Sequence, residues 1–128
     1  MPREAFSSER IAAPVGPFSP GVRVGELLFL SGQVALSPAT GRLIDGDVTA
    51  QTEQVLDNLR TLLAAVGKSL GDVARVNVYL TDMKDFAAMN AVYARYFDAP
   101  YPARTTVAVS ALPLGAAVEI DLIALAAR

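Results

Sequence analysis

Two side chains in this sequence have the type and setting for work on a small carboxylate, Arg104 and Glu119. Arg104 follows the break Pro100-Tyr101-Pro102-Ala103 and opens a strand, so its guanidinium projects from a rigid sheet edge. A fixed arginine there can grip a carboxylate through two parallel hydrogen bonds. A surface arginine in a weak ion pair is the competing reading. Glu119 lies mid-strand in Ala117-Val118-Glu119-Ile120-Asp121-Leu122 and shares a face with Asp121 and Ile123. Burial among those aliphatics would raise its pKa toward the range of a useful general base. Simple alternation, with Glu119 and Asp121 outward and Val118, Ile120 and Leu122 inward, is the competing reading.

Composition removes most other chemistry. The chain has no His and no Cys, which excludes a Ser-His-Asp triad, a cysteine nucleophile and a redox CxxC pair. A zinc site loses its usual nitrogen and sulfur ligands. Acid–base work falls to the 13 carboxylates, the four Tyr, the two Lys or a bound water. A net charge of −2 and a pI near 5.0, with basic residues scattered singly, oppose nucleic-acid binding. No apolar run approaches a membrane span and the first ten residues have no apolar stretch, so a cytoplasmic, non-membrane protein is expected.

Other polar groups have structural explanations. Asp82, Lys84 and Asp85 suit helix capping and solvation. Asp45-Gly46-Asp47 lacks EF-hand spacing and fits a turn followed by an N-cap. Asn90 falls within the apolar run of Phe86, Met89 and Tyr93, where its amide needs a hydrogen bond to a loop or a ligand.

The elements that position these residues follow from periodicity. Residues 12–21 carry three Pro and two Gly and read as a turning loop. Residues 22–24 and 27–31 form a hairpin about Gly25-Glu26; residues 32–36 continue extended, and Leu43-Ile44 adds a short strand. Val55, Leu59, Leu62 and Val66 then recur at helical spacing, with Asp47 as N-cap, Gly67 just past the end, and Gln51 and Gln54 on other sides. Ala74, Val76, Val78 and Leu80 alternate as a strand. Thr81 or Asp82 caps a second helix, with Asp85 after Asp82 resembling a capping box that has Asp in place of Glu, and the helix ends near Phe97. Thr105, Val107 and Val109, then Val118 to Ala124, supply the last strands.

The result is a single α+β domain over residues 1–128, in the order β-β-β-α-β-α-β-β, with one mixed sheet carrying two helices on one face. The other sheet face carries Val and Leu. With a mean hydropathy of +0.36, this points to cover by a partner subunit.

The pieces together resemble the RidA/YjgF reactive-intermediate deaminase family, from Gly16-Pro17-Phe18-Ser19 to Ile123. Ser31-Gly32-Gln33 and Asp85-Phe86 to Asn90-Ala91-Val92-Tyr93 carry the likeness. The most specific block is Pro102-Ala103-Arg104-Thr105-Thr106-Val107, followed by Leu112-Pro113 and Val118-Glu119-Ile120. The resemblance implies a chorismate-mutase-like homotrimer with sites between subunits. It implies hydrolysis of 2-imino or enamine acids, such as 2-iminopropanoate and 2-iminobutanoate, to 2-oxo acids and ammonia, with no cofactor and no metal. Arg104 would bind the carboxylate and Glu119 would place the water. Phe18, Ser31, Gly32, Asn90 and Thr106 would line the cleft. Two departures stand out: the family's deaminases usually have Tyr where this chain has Phe18, and often Cys where it has Thr106. Alternative readings are a non-catalytic trimer that binds a small carboxylate for regulation, and a deaminase of a pathway-specific imine.

Overall fold

The computed structural model describes residues 2–126. In it the chain runs β1 (Glu4–Phe6), β2 (Gly21–Val24), β3 (Leu27–Gln33), α1 (Val48–Ala64), β4 (Val73–Leu80), α2 (Phe86–Tyr96), β5 (Ala103–Ala108) and β6 (Val118–Leu125). The six strands form one sheet in the order β1-β2-β3-β6-β4-β5. Every neighbouring pair is antiparallel except β4 and β5, which α2 joins as a parallel crossover. The last strand therefore slots between two strands made much earlier. Among the described residues, no helix is long and apolar enough to cross a membrane.

The core lies between the helices and one sheet face. Val55, Leu56, Leu59, Leu62 and Leu63 of α1 are fully buried against Leu28, Leu30, Val76, Val78, Ile120 and Leu122. Burial of each such side chain stabilises the fold by about 1.5–3 kcal/mol. Both ends of α1 close as the residue types dictate. Asp47 accepts the Ala50 N–H at 3.1 Å. Gly67 takes φ 73 while the Lys68 N–H reaches the Leu63 carbonyl at 3.0 Å and the Gly67 N–H reaches Ala64, closing a Schellman motif.

Several local expectations change. Leu43 makes only an isolated bridge to Leu36, so no strand forms at Leu43-Ile44. The third strand before α1 is instead β1, whose Phe6 ring covers Gly21 so closely that a Cβ there would stand 2.8 Å from Phe6 Cε1. The strand expected to run to Leu36 stops at Gln33. Asp82 caps a 3-10 turn (Met83–Asp85) by accepting the Lys84 N–H at 2.9 Å, and α2 begins only at Phe86, with no capping bond from Asp85. Gln51 points inward rather than to another side of α1. Its side chain accepts the Ala117 N–H at 2.9 Å and so ties α1 to the chain entering β6.

Candidate active site

Strand alternation distributes the candidate residues over both faces of the sheet. On β6, Val118, Ile120 and Leu122 enter the core, while Glu119 and Asp121 lie on the face without helices. On β5, Arg104 pairs in register with Val76, and Thr106 with Val78, so both turn toward α2. Arg104 and Glu119 therefore occupy opposite sides of one sheet. A single chain does not bring them together.

Glu119 is held by a break in β3. Between the pairs Leu30–Leu122 and Gln33–Ile120, Ser31 and Gly32 together oppose Asp121, a bulge that re-aims this stretch of the strand. Gly32 is needed because a Cβ there would overlap the Glu119 carboxylate, lying 2.8 Å from its Cδ. Ser31 donates its hydroxyl to the Ser19 carbonyl at 2.7 Å, and its N–H reaches Pro20 at 2.9 Å. These bonds fix the loop that carries Phe18. Phe18, Ser31, Gly32 and Glu119 then share a cavity of about 310 Å³ with Leu36 and Leu114.

Burial pushes the Glu119 carboxyl up from its ordinary value, and the nearby charge of Asp121 adds to the shift. Asp121 is itself fixed: it accepts from Asn77 Nδ2 at 2.8 Å and from the Tyr79 hydroxyl at 3.0 Å. The Tyr79 phenol is raised, by burial first and then by the bond to Asp121, so it stays a donor. Both residues of the sequence alternation reading are confirmed on the open face, yet Glu119 is half-buried there.

The second cluster sits under α2. The Arg104 guanidinium carbon lies 4.7 Å from the Tyr93 ring centre and 5.7 Å from that of Phe86, and Nη1 is 4.0 Å from Met89 Sδ. Among the described residues the ion pairs are Arg60–Asp57 and Arg95–Glu53; the weak surface pair considered for Arg104 does not form. Around it, Asn90 Oδ1, the Tyr93 hydroxyl and Thr106 Oγ1 are buried with no hydrogen-bond partner. The loop bond considered for Asn90 is not made by that oxygen. Such groups cost roughly 1–3 kcal/mol each when left unpaired, so each calls for a partner from outside the chain, a water, a ligand or a second copy. Asn90, Tyr93 and Arg104 line a cavity of about 330 Å³ with Tyr101 and Pro102.

The seven sequence candidates thus divide into Phe18, Ser31, Gly32 and Glu119 on one side, and Asn90, Arg104 and Thr106 on the other. In the sequence Tyr93 belongs to an apolar helix stripe. Its phenol, raised by burial and partly offset by the Arg104 charge, belongs to the second cluster. The signal for it was a hydroxyl at the end of an otherwise apolar face.

Comparison with known proteins gives a uniform result. The family described as Endoribonuclease L-PSP matches residues 8–126. "Protein DfrA" of Myxococcus xanthus is 50% identical over 126 residues, covering 97% of this chain and 96% of the relative. The Mus musculus protein named "2-iminobutanoate/2-iminopropanoate deaminase" is 40% identical over 122 residues, covering 95% of this chain and 90% of the relative. The crystal structure of RidA from an Antarctic Psychrobacter superposes with a TM-score of 0.91 at 42% identity, over 95% of this chain and 98% of that one. E. coli TdcF with bound serine superposes with a TM-score of 0.90 at 37% identity, over 95% and 98% of the two chains. With the family model matching residues 8–126 and solved relatives superposing along nearly the whole chain, this protein belongs to the RidA/YjgF family, described as Endoribonuclease L-PSP.

Proposed function

We propose that this protein hydrolyses 2-imino acids to 2-oxo acids and ammonia, in a site where Arg104 of one copy meets Glu119 of a second copy within a homotrimer. The observation that carries the reading is the separation of the two clusters. Among the described residues Arg104 has no carboxylate partner, and Asn90, Tyr93 and Thr106 carry unpartnered polar atoms on its side of the sheet, while Glu119 opens into its own cavity on the other. Each half lacks what the other offers. Leu27, Phe29, Val107 and Leu125 are exposed on the helix-free face or its rim, which suits cover by further copies. The deaminase name of the mouse relative and the serine bound in TdcF support a small amino-acid-derived ligand.

The chemistry suits so sparse a site. Arg104 holds the substrate carboxylate, and Asn90 and Thr106 supply polar contacts beside it. Glu119 orients a water against the imine carbon and takes its proton as the C–O bond forms. Glu119 passes this proton to nitrogen, then takes the hydroxyl proton of the tetrahedral intermediate as the carbonyl forms and the C–N bond breaks, releasing ammonia and the 2-oxo acid. A protonated imine is already a strong electrophile, so positioning and one general base provide enough acceleration. The ribonuclease suggested by the family's description gains nothing from an acidic chain without histidine.

The test generates 2-iminopropanoate or 2-iminobutanoate in situ with an amino-acid oxidase and traps residual imine with semicarbazide. Wild type is compared with Arg104→Ala, Glu119→Gln, and assemblies made by co-refolding the two variants. Each variant alone should keep about a hundredth of wild-type turnover or less, and the mixed assemblies should recover about a quarter of it, the chance share of interfaces with both groups intact. A folded wild type without turnover would overturn the deaminase reading in favour of a carboxylate-binding regulator. Verified mixed assemblies without recovery would overturn the shared site.

The same mechanism fixes a pH dependence. Glu119 works ionised, so kcat/KM falls as pH drops through its raised pKa. Removing the neighbouring negative charge by Asp121→Asn favours the ionised form, so the acidic limb should move to lower pH. A pH–rate profile that stays in place would remove Asp121 from the account.

A further inference from the structure

The Glu119 cavity has walls that bear on which imino acid enters it. Its lining is mainly aliphatic and aromatic, with Val15, Phe18, Leu36 and Leu114 among the larger side chains. Among the described residues of the copy that supplies Glu119, no Lys or Arg lines it, and its one charged lining residue is Glu119. A side chain carrying a carboxylate would meet like charge there, and a strongly hydrated one would lose its water against hydrocarbon.

Leu114 supplies an independent observation. Among the described residues it is the only non-glycine with a positive φ, at φ 61 and ψ 17. A branched side chain in the left-handed region is strained, and glycine would take the same backbone freely, as Gly115 does beside it at φ 75. What leucine adds at this position is therefore its side chain, which is 58% exposed at the cavity wall. Strain of this kind, with an apolar group held out beside a reacting carboxylate, fits contact with a ligand. Val15, 72% exposed, and Phe18, 47% exposed, present further hydrocarbon to the same space.

We propose that this chamber selects 2-imino acids with apolar side chains of about four carbons over smaller or acidic ones, and that Leu114 is a specificity-determining residue for that choice. The inference rests on the deaminase reading for its turnover arm only. A cavity of about 310 Å³ holds an imino-acid head, the attacking water and a branched aliphatic chain. Phe18 fits the same logic, because its ring offers packing where a tyrosine would offer a hydroxyl.

The experiment measures kcat/KM for imines produced in situ from leucine, alanine and glutamate. It also measures binding of the matching oxo acids, 4-methyl-2-oxopentanoate, pyruvate and 2-oxoglutarate, by calorimetry. The leucine-derived ligands should be preferred by about 10- to 100-fold, the scale that added methylenes give in an apolar pocket. Leu114→Gly and Leu114→Asn both tolerate the left-handed backbone, and each should reduce the leucine-to-alanine ratio by about tenfold. Ranked binding without turnover would overturn the deaminase reading and sustain the chamber. Equal or absent binding, a preference for the acidic ligand, or an unchanged ratio in both Leu114 variants would overturn the inference.

Discussion

Replacing Arg104 by alanine is expected to lower kcat/KM for a 2-imino acid by about 10²- to 10³-fold while leaving the folded chain nearly as stable as before. The two halves of this expectation come from different contacts. Structurally, the guanidinium lies over two aromatic faces and beside a methionine sulfur, on an edge strand, and among the described residues its removal orphans no ion-paired carboxylate. Cation–π contacts of this kind are worth about 0.5–1 kcal/mol when partly exposed, so a small fall in thermal midpoint follows. Functionally, the substrate carboxylate would lose a bidentate donor in a partly desolvated place, where truncating one partner of a charge pair costs about 2–5 kcal/mol. Arg104→Lys keeps the charge but not the planar fork and should fall between wild type and alanine. The measurement is kcat/KM beside ligand-induced thermal protection. Wild type should be protected by a saturating 2-oxo acid, and Arg104→Ala should not. Retained turnover and retained protection in Arg104→Ala would place the carboxylate grip elsewhere.

Much of the frame was legible because it is local. The stripe of Val55, Leu59 and Leu62 reports its own burial, and Asp47 and Gly67 mark the helix ends through backbone chemistry that tertiary packing does not alter. The alternation of Val76, Val78 and Leu80 likewise declares one buried face. By contrast, β1 is three residues long, too short to show a period, and it exists because Phe6 packs over Gly21. Leu43-Ile44 looked equally strand-like but has only the Leu36 bridge to pair with. The insertion of β6 between β3 and β4 is a long-range choice that no local pattern encodes.

For the site, residue types were readable and their sides of the sheet only partly so. Alternation put Glu119 and Asp121 on one face, as the structure has them. It gave no such guide on β5, where Val107 is exposed on the open face and Arg104 and Thr106 turn toward α2. The apolar parity of that strand is thus not the parity facing its own helices. This inversion makes sense if the open face is covered by another copy, because Val107 then has hydrocarbon to meet. Tyr93 hides its role in the sequence for a related reason. Its ring serves the core through stacking on Phe97 at 4.5 Å, while its hydroxyl and its face serve the arginine cluster.

Gly32→Ala carries the second large effect, and it separates the placement of the base from its presence. The added methyl would occupy the space of the Glu119 carboxylate, 2.8 Å from Cδ, so the carboxylate must rotate away or the bulge must open. Rotation is the easier route, since a glutamate end swings more readily than a backbone that re-pairs with β6 at the next residue, Gln33. The chain should then stay folded with a displaced base, and a displacement near 1 Å is enough to cost about 10²-fold in turnover. Substrate affinity should change less, because Arg104 is untouched on the opposite face, so the loss appears mainly in kcat. Gly21→Ala is the matched control: there the new methyl meets the Phe6 ring and not the Glu119 carboxylate, so thermal stability rather than kcat should suffer. Steady-state kinetics and thermal melts of the two variants decide the matter. A Gly32→Ala protein with normal kcat would show that the carboxylate position held by the β3 bulge is not the position used in turnover. The opposite pattern, kcat lost with the melt intact, would tie the glycine to the chemistry through Glu119 rather than through the fold.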